Sequence, residues 1–164
     1  MAASQGRKGF SLVEILIAIV LVGLSITALV TASNSFTMAN GAGADLSTAE
    51  FLAEQIRELT IQLPVSDPAA VNWTTFGPEA GETVDTYNDV DDFDGATFSP
   101  PISADRATLG SFPEYTQRVT VENLSSSDFN TVVADRTSPF IRVQVDVLRN
   151  GDQLCSTTWI RARY

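Results

Sequence analysis

The spacing of hydrophobic and polar positions changes twice along this chain of 164 residues, and each spacing predicts a different element. Residues 10–30 form a nearly continuous apolar run in which Glu14 is the single charged residue. Because an α-helix rises about 1.5 Å per residue, a helical run of this length measures roughly 30 Å. That length spans the hydrocarbon core of a membrane, so the run predicts a transmembrane helix.

A polar stretch and then an amphipathic stretch come after the apolar run. Residues 41–43 read Gly-Ala-Gly, which predicts a kink or a locally melted section because each glycine weakens a helix by about 1 kcal/mol. Helix is expected to resume after Asp45, with Ser47 and Glu50 as a capping box, and to end at Pro64. Apolar residues recur there at spacings of three and four: Ala49, Leu52, Ile56, Leu59 and Leu63. This face predicts a helix that supports a covering sheet.

Alternation with a period of two predicts three antiparallel strands near the C-terminus. The first two are residues 115–122 and 141–147. Asn150 and Gly151 then favour a tight hairpin turn into a return strand, residues 153–163. The apolar face of this sheet needs a cover, and the amphipathic helix is the partner that the sequence offers. We therefore expect an α+β fold: a long N-terminal helix, transmembrane in its first half, with a C-terminal antiparallel sheet packed on its second half.

Composition and charge exclude several classes of function. The chain has 20 acidic and 10 basic residues, a formal net charge of -10, no histidine and one cysteine, Cys155. Without histidine, His-based acid/base catalysis, Ser-His or Cys-His nucleophiles and His-ligated zinc are excluded. A single cysteine cannot form an internal disulfide. Since no nucleophile-base pair or phosphate-binding glycine loop is visible either, we expect a protein that is not an enzyme.

An acidic segment, residues 65–101, contains eight carboxylates and no basic residue. Four of the aspartates stand close together just before Gly95: Asp89, Asp91, Asp92 and Asp94. Several oxygen ligands ending at a glycine indicate a possible calcium site. The spacing differs from that of an EF-hand, because Val90 stands where the first aspartate belongs and no glutamate occupies the twelfth position. The alternative is a solvated acidic loop without any metal or other cofactor.

The residues that precede the apolar run carry a recognisable order. Arg7 and Lys8 favour a cytoplasmic N-terminus and export of the residues C-terminal to the run. They are followed by Gly9, Phe10, three further residues and then Glu14. This arrangement closely resembles the processing site of type IV prepilins and type II secretion pseudopilins.

The resemblance implies roles for three residues. A membrane prepilin peptidase would cut between Gly9 and Phe10 and methylate the new amine of Phe10. Glu14 would become the fifth mature residue, and its carboxylate would pair with the N-terminal amine of a neighbouring subunit. A carboxylate in a lipid-embedded helix costs about 2.5 kcal/mol or more, so it needs such a partner. We hypothesise that Glu14 sets the register between subunits during assembly.

Two positions bear on the type of subunit. Gly23 matches a recurrent glycine of the family, whereas Thr31 stands where major pilins commonly carry a proline. The missing proline favours a minor pilin or a pseudopilin.

These patterns and the resemblance together divide the chain into five segments. They are a leader peptide at 1–9, a transmembrane and filament-core helix at 10–30, its amphipathic continuation at 31–64, the acidic loop region at 65–113 and the antiparallel sheet at 114–164. The expected function is a structural subunit of a type IV pilus or a type II secretion filament. It would enter the bacterial inner membrane once, with a periplasmic C-terminal domain, and then join the pilus or pseudopilus. Its partners would be prepilin peptidase, other pilin or pseudopilin subunits, the inner-membrane assembly platform and membrane lipid.

Two other classes of function remain open at this point. One is a binding module, either a pilus-tip adhesin or a DNA-uptake pilin. The basic residues to consider for it are Arg118 and Arg142 on the strand faces opposite the valines, and Arg161 and Arg163 beside Trp159. The net negative charge disfavours nucleic acid as a partner. The other is a membrane-anchored periplasmic domain that never polymerises.

Overall fold

The computed structural model describes residues 9–67 and 76–163. Its elements in chain order are α1 (Leu12–Ile61), a short 3₁₀ helix (Asp91–Phe93), β1 (Thr97–Phe98), β2 (Tyr115–Leu124), β3 (Phe140–Arg149) and β4 (Asp152–Ala162). The chain divides into two compact units, residues 1–43 and residues 44–164. Of the predicted leader, Gly9 is described, and the rest, including Arg7 and Lys8, lies outside the described residues.

Helix α1 begins with a capping box that the sequence analysis missed. The Oγ of Ser11 accepts a hydrogen bond from the N–H of Glu14 (3.2 Å), and Oε2 of Glu14 accepts one from the N–H of Ser11 (3.4 Å). This reciprocal pair satisfies N–H groups that the first turn leaves without helical partners.

Helical backbone continues through the glycines, so the predicted melted section is wrong, whereas a kink there stays a prediction. Residues 41–43 have helical backbone, so no helix begins near Ser47 and the predicted capping box with Glu50 has no N-terminus to cap. Starting a second helix would require a new and unfavourable nucleus, whereas continuing through two glycines costs about 1 kcal/mol each. The helix ends at Ile61, a little before the predicted stop at Pro64.

The sheet has the order β1-β2-β3-β4 with antiparallel neighbours throughout. Strands β2 and β3 pair over ten residues each, from Tyr115 opposite Arg149 to Leu124 opposite Phe140. The turn between β3 and β4 has positive φ at both Asn150 (51°) and Gly151 (93°), as a tight hairpin with the strand twist requires. All three predicted strands and their hairpin are therefore confirmed. Strand β1 was not predicted, because it lies inside the segment expected to be loop.

A single apolar core lies within residues 44–164 and joins the helix to the sheet. On α1 the buried apolar residues are Ala49, Leu52, Ala53, Ile56 and Leu59. On β3 they include Ile141, Val143, Val145 and Val147, every second residue of the strand. Both sets belong to one cluster, which also contains Val119, Val121 and Phe93. The predicted α+β architecture, with the sheet packed on the second half of the helix, is confirmed.

A buried amide crosses this core. Gln117 of β2 is fully buried, and its Nε2 donates to the carbonyl oxygens of Leu52 (2.7 Å) and Ile102 (3.1 Å). Its Oε1 accepts from the N–H of Ile102 (2.8 Å). One side chain thus connects the sheet with α1 and with the segment between β1 and β2.

Candidate functional site

The N-terminal part of α1 presents a continuous apolar surface. Every residue from 9 to 44 is exposed, and the large apolar side chains from Phe10 to Val30 are each more than half exposed. Within the described residues, α1 is the one helix long and apolar enough to cross a membrane. Monomeric soluble proteins rarely expose apolar patches larger than a few hundred Å². This surface therefore requires lipid or another protein to cover it.

Glu14 places a carboxylate on this apolar surface. It lines a shallow groove with Phe10, Ile15, Ala18, Ile19 and Val22. None of the ion pairs in the described part of the chain involves Glu14. Its carboxylate accepts the N–H of Ser11, which caps the helix, and no cation among residues 9–67 and 76–163 forms an ion pair with it.

Hydroxyl groups in α1 are satisfied by the helix itself. Each of the following donates to the carbonyl oxygen four residues earlier: Ser25, Thr27, Thr31, Ser35, Thr37 and Thr48. Each of these hydroxyl groups has its acceptor within the helix. These residues therefore add no unpaired donor to the exposed surface of α1. Thr31, at the position where major pilins commonly carry a proline, is one of these residues.

One known protein family has a sequence model that matches this N-terminal part of the chain. A family model described as the prokaryotic N-terminal methylation motif covers residues 4–30. The chain carries the prepilin signature of type IV pilins and pseudopilins. The signature implies processing by prepilin peptidase and assembly with other pilin subunits, and the long N-terminal helix of this chain fits it. No curated protein and no solved structure matches the chain.

The matched residues include the predicted processing site. Gly9 and Phe10 both precede α1 and are exposed, so the Gly9–Phe10 peptide bond lies outside the helix. Glu14 lies in the first turn of α1. The roles of Gly9 and Phe10 in cleavage and methylation stay predictions, as does the role of Glu14 in assembly.

The four aspartates predicted as calcium ligands have different partners. Asp94 Oδ1 accepts the N–H of Val121 at 2.8 Å, which ties its segment to β2. Asp91 Oδ2 pairs with an Nη of Arg136 at 3.0 Å. Asp89 and Asp92 each accept the other's N–H at 3.2 Å. The structure therefore does not direct all four carboxylates to one point.

Burial changes the ionisation of these aspartates. Asp89, Asp91 and Asp92 are each at most 2% exposed, so the alternative of a solvated loop is wrong for these three. Burial, together with a hydrogen bond to the Asp91 carboxylate, raises the pKa of Asp89 to about 8. Burial also raises the pKa of Asp91 and that of Asp92.

A different set of carboxylates does converge. One oxygen from each of Glu79, Glu82 and Asp92 lies within 4.8 Å of the other two. The two glutamates were not predicted from the sequence, because they stand ten or more residues before Asp92. The fold brings the turn at residues 79–82 against the 3₁₀ helix, and sequence spacing carries no signal for that approach.

The basic residues considered for nucleic-acid binding are largely engaged by the protein. Arg142 forms an ion pair with Glu122 (2.6 Å), and Arg161 donates to the carbonyl oxygen of Thr60 (2.5 Å). The face of Trp159 lies under the guanidinium of Arg57, 5.9 Å from the ring centroid. These contacts engage Arg142, Arg161 and the aromatic ring of Trp159, which would otherwise be available to phosphates and bases.

Cys155 has the environment of a structural thiol. It is partly buried against the core, and burial raises its pKa, with the negative charge of Glu50 as a further cause. A raised pKa leaves less of the reactive thiolate at neutral pH.

Proposed function

We propose that this chain is a minor pilin or pseudopilin, a structural subunit of a type IV pilus or a type II secretion filament. The observation that carries the proposal is the exposed apolar helix surface with Glu14 on it, within the residues matched by the methylation motif. The same surface serves the subunit twice. Membrane lipid covers it before assembly, and the helices of neighbouring subunits cover it in the filament.

Processing supplies the partner that Glu14 lacks. Cleavage between Gly9 and Phe10 creates an amine at the apolar end of the helix, and methylation keeps that amine cationic. Glu14 of one subunit then pairs with the amine of Phe10 in a neighbouring subunit. Because an unpaired charge inside an apolar filament core is strongly unfavourable, this pair fixes the stagger between adjacent helices.

The hydrogen bonding of α1 supports a minor pilin or pseudopilin rather than a major pilin. Thr31 occupies the position where major pilins commonly carry a proline, and its Oγ1 donates to the carbonyl oxygen of Thr27 at 2.9 Å. Thr31 also lies inside the uninterrupted helix Leu12–Ile61, so the backbone hydrogen bonds continue where proline would remove one.

The proposal also fixes the location and partners of the subunit. It enters the inner membrane with a cytoplasmic N-terminus and a periplasmic C-terminal unit. Prepilin peptidase processes it, and an inner-membrane assembly platform then transfers it from lipid into the pilus or pseudopilus.

Mass spectrometry of the mature protein tests the proposal. The chain is co-expressed with a prepilin peptidase and purified from membranes, with a Gly9→Val variant as a matched control. We expect the wild-type protein to begin at N-methylated Phe10, and the variant to retain residues 1–9. A mature chain that begins at Met1, or one cut after the apolar run as a secreted protein would be, contradicts the proposal.

A further inference from the structure

A tight turn at residues 79–82 folds one glutamate back over its own backbone. The N–H of Glu82 donates to the carbonyl oxygen of Glu79 at 3.1 Å, and Gly81 takes a positive φ of 97° within the turn. The N–H of Glu79 in turn donates to Oε2 of Glu82 at 3.1 Å. These bonds fix the Glu82 carboxylate beside that of Asp92 in the adjacent 3₁₀ helix.

Two oxygens of this cluster are buried without a donor. Asp92 is 1% exposed, and its Oδ2 accepts the N–H groups of Asn88 (2.8 Å) and Asp89 (3.2 Å). Its Oδ1 has no hydrogen-bond partner among the residues that the structure describes, and neither has Oε2 of Glu79. Buried polar atoms in folded proteins are nearly always satisfied, so these two acceptors indicate a missing positive partner.

No basic side chain in the described part of the chain supplies that partner. The nearby Arg136 pairs with Asp91. Arg106 donates to the carbonyl oxygens of Asp85 and Tyr87, both at 2.6 Å, and not to a carboxylate of the cluster. Three carboxyl groups therefore meet at a partly buried site without a cation, an arrangement that a bound metal ion or shared protons must stabilise.

We propose that Glu79, Glu82 and Asp92 bind a calcium ion. Calcium takes six to eight oxygen ligands in a flexible geometry, and carboxylates are its preferred protein ligands. Magnesium requires a stricter octahedron, which a turn and a separate 3₁₀ helix are less suited to form. The ion links the turn at residues 79–82 to the 3₁₀ helix, whose Phe93 is fully buried in the core. Of the four aspartates suggested by the sequence, only Asp92 belongs to this site.

Thermal unfolding of the full-length chain in detergent micelles tests the site. The protein is first stripped with a chelator and then melted with and without calcium chloride, at constant ionic strength. With calcium at about one hundred times its dissociation constant, we expect the midpoint to rise by about 5 °C. Isothermal titration calorimetry should give a stoichiometry of one calcium ion per chain.

Matched variants distinguish calcium binding at this site from a nonspecific effect of calcium on the acidic segment. Glu82→Gln removes a ligand charge and should abolish the calcium-induced rise, and Glu79→Gln is the second such variant if the first does not fold. Asp85→Asn removes an exposed carboxylate of the same segment that is outside the cluster, and it should retain the full rise. Equal calcium responses in Glu82→Gln and Asp85→Asn would overturn the proposal. No response in the wild-type protein would also overturn it.

Discussion

Gln117 shows how one polar residue can be essential to an apolar core. Replacing it with leucine keeps a side chain of similar size but leaves the N–H and the carbonyl oxygen of Ile102 without their buried partners. We expect Gln117→Leu to lower the free energy of unfolding by about 2 kcal/mol, because an unsatisfied buried polar group costs about 1–3 kcal/mol. Urea denaturation followed by circular dichroism measures the change.

The control for this prediction is the same substitution on the opposite face of the neighbouring strand. Gln144 of β3 is half-buried, and its Nε2 contacts only the carboxylate of Asp146 two residues away. Gln144→Leu should change stability by less than about 0.5 kcal/mol. Equal losses in the two variants would show that the amide of Gln117 contributes nothing specific.

The two capping-box patterns show that a local sequence pattern does not by itself predict where a helix begins. Ser11 with Glu14 and Ser47 with Glu50 have the same residues at the same spacing. The first pair caps α1, whereas the second lies in the interior of that helix. A capping pattern acts only where a helix begins, and the start depends on whether the glycines at 41–43 break the helix. Local propensity favoured a break, but the cost of a second nucleus opposes it.

The second half of α1 depends on its contact with the sheet. Ile56 is fully buried in the core, while Ile61, the last residue of the same helix, is 62% exposed. Ile56→Ala should lower the free energy of unfolding by about 3 kcal/mol, because it removes buried methyl groups and leaves a cavity. The matched variant Ile61→Ala should cost less than about 1 kcal/mol. Chemical denaturation of both variants checks this, and similar losses would mean that the core does not extend to Ile56 as described.

The elements differ in how far the sequence predicts them. Strands β2, β3 and β4 have alternating side chains, and the Asn150-Gly151 turn fixes the pairing of β3 with β4, so local pattern was sufficient to predict these strands. Strand β1 has two residues, and only its pairing with Gln117 and Arg118 makes it a strand. The burial of Asp91 likewise depends on Arg136, 45 residues away. Such long-range partners leave no periodic signal.

Charge and apolar surface are distributed unequally over the molecule. Glu14 is the only acidic residue among residues 1–43, so the other carboxylates belong to residues 44–164. Loss of Arg7 and Lys8 with the leader would change the formal charge from -10 to -12. Residues 10–43 are thereby nearly neutral, and the other carboxylates are confined to residues 44–164. A lone carboxylate in the neutral part consequently stands out as functional.

One substitution can separate the capping role of Glu14 from its proposed role in assembly. Glutamine at position 14 can still accept the N–H of Ser11, so Glu14→Gln keeps the capping box and removes only the charge. We expect this variant to insert into the membrane normally. Its incorporation into filaments should fall by at least about tenfold, because removing one partner of a buried ion pair costs about 3 kcal/mol.

Immunoblots of membrane fractions and of sheared filaments measure insertion and incorporation separately. Glu58→Gln makes the same change at an exposed position of α1 and should leave both quantities unchanged. Ser11→Ala removes the hydroxyl of the cap but keeps the carboxylate of Glu14, so it should retain most of the incorporation. If Glu14→Gln assembled as well as the wild-type protein while Ser11→Ala did not, the function of Glu14 would lie in starting the helix. Loss only in Glu14→Gln assigns it instead to the charge that pairs with a neighbouring subunit.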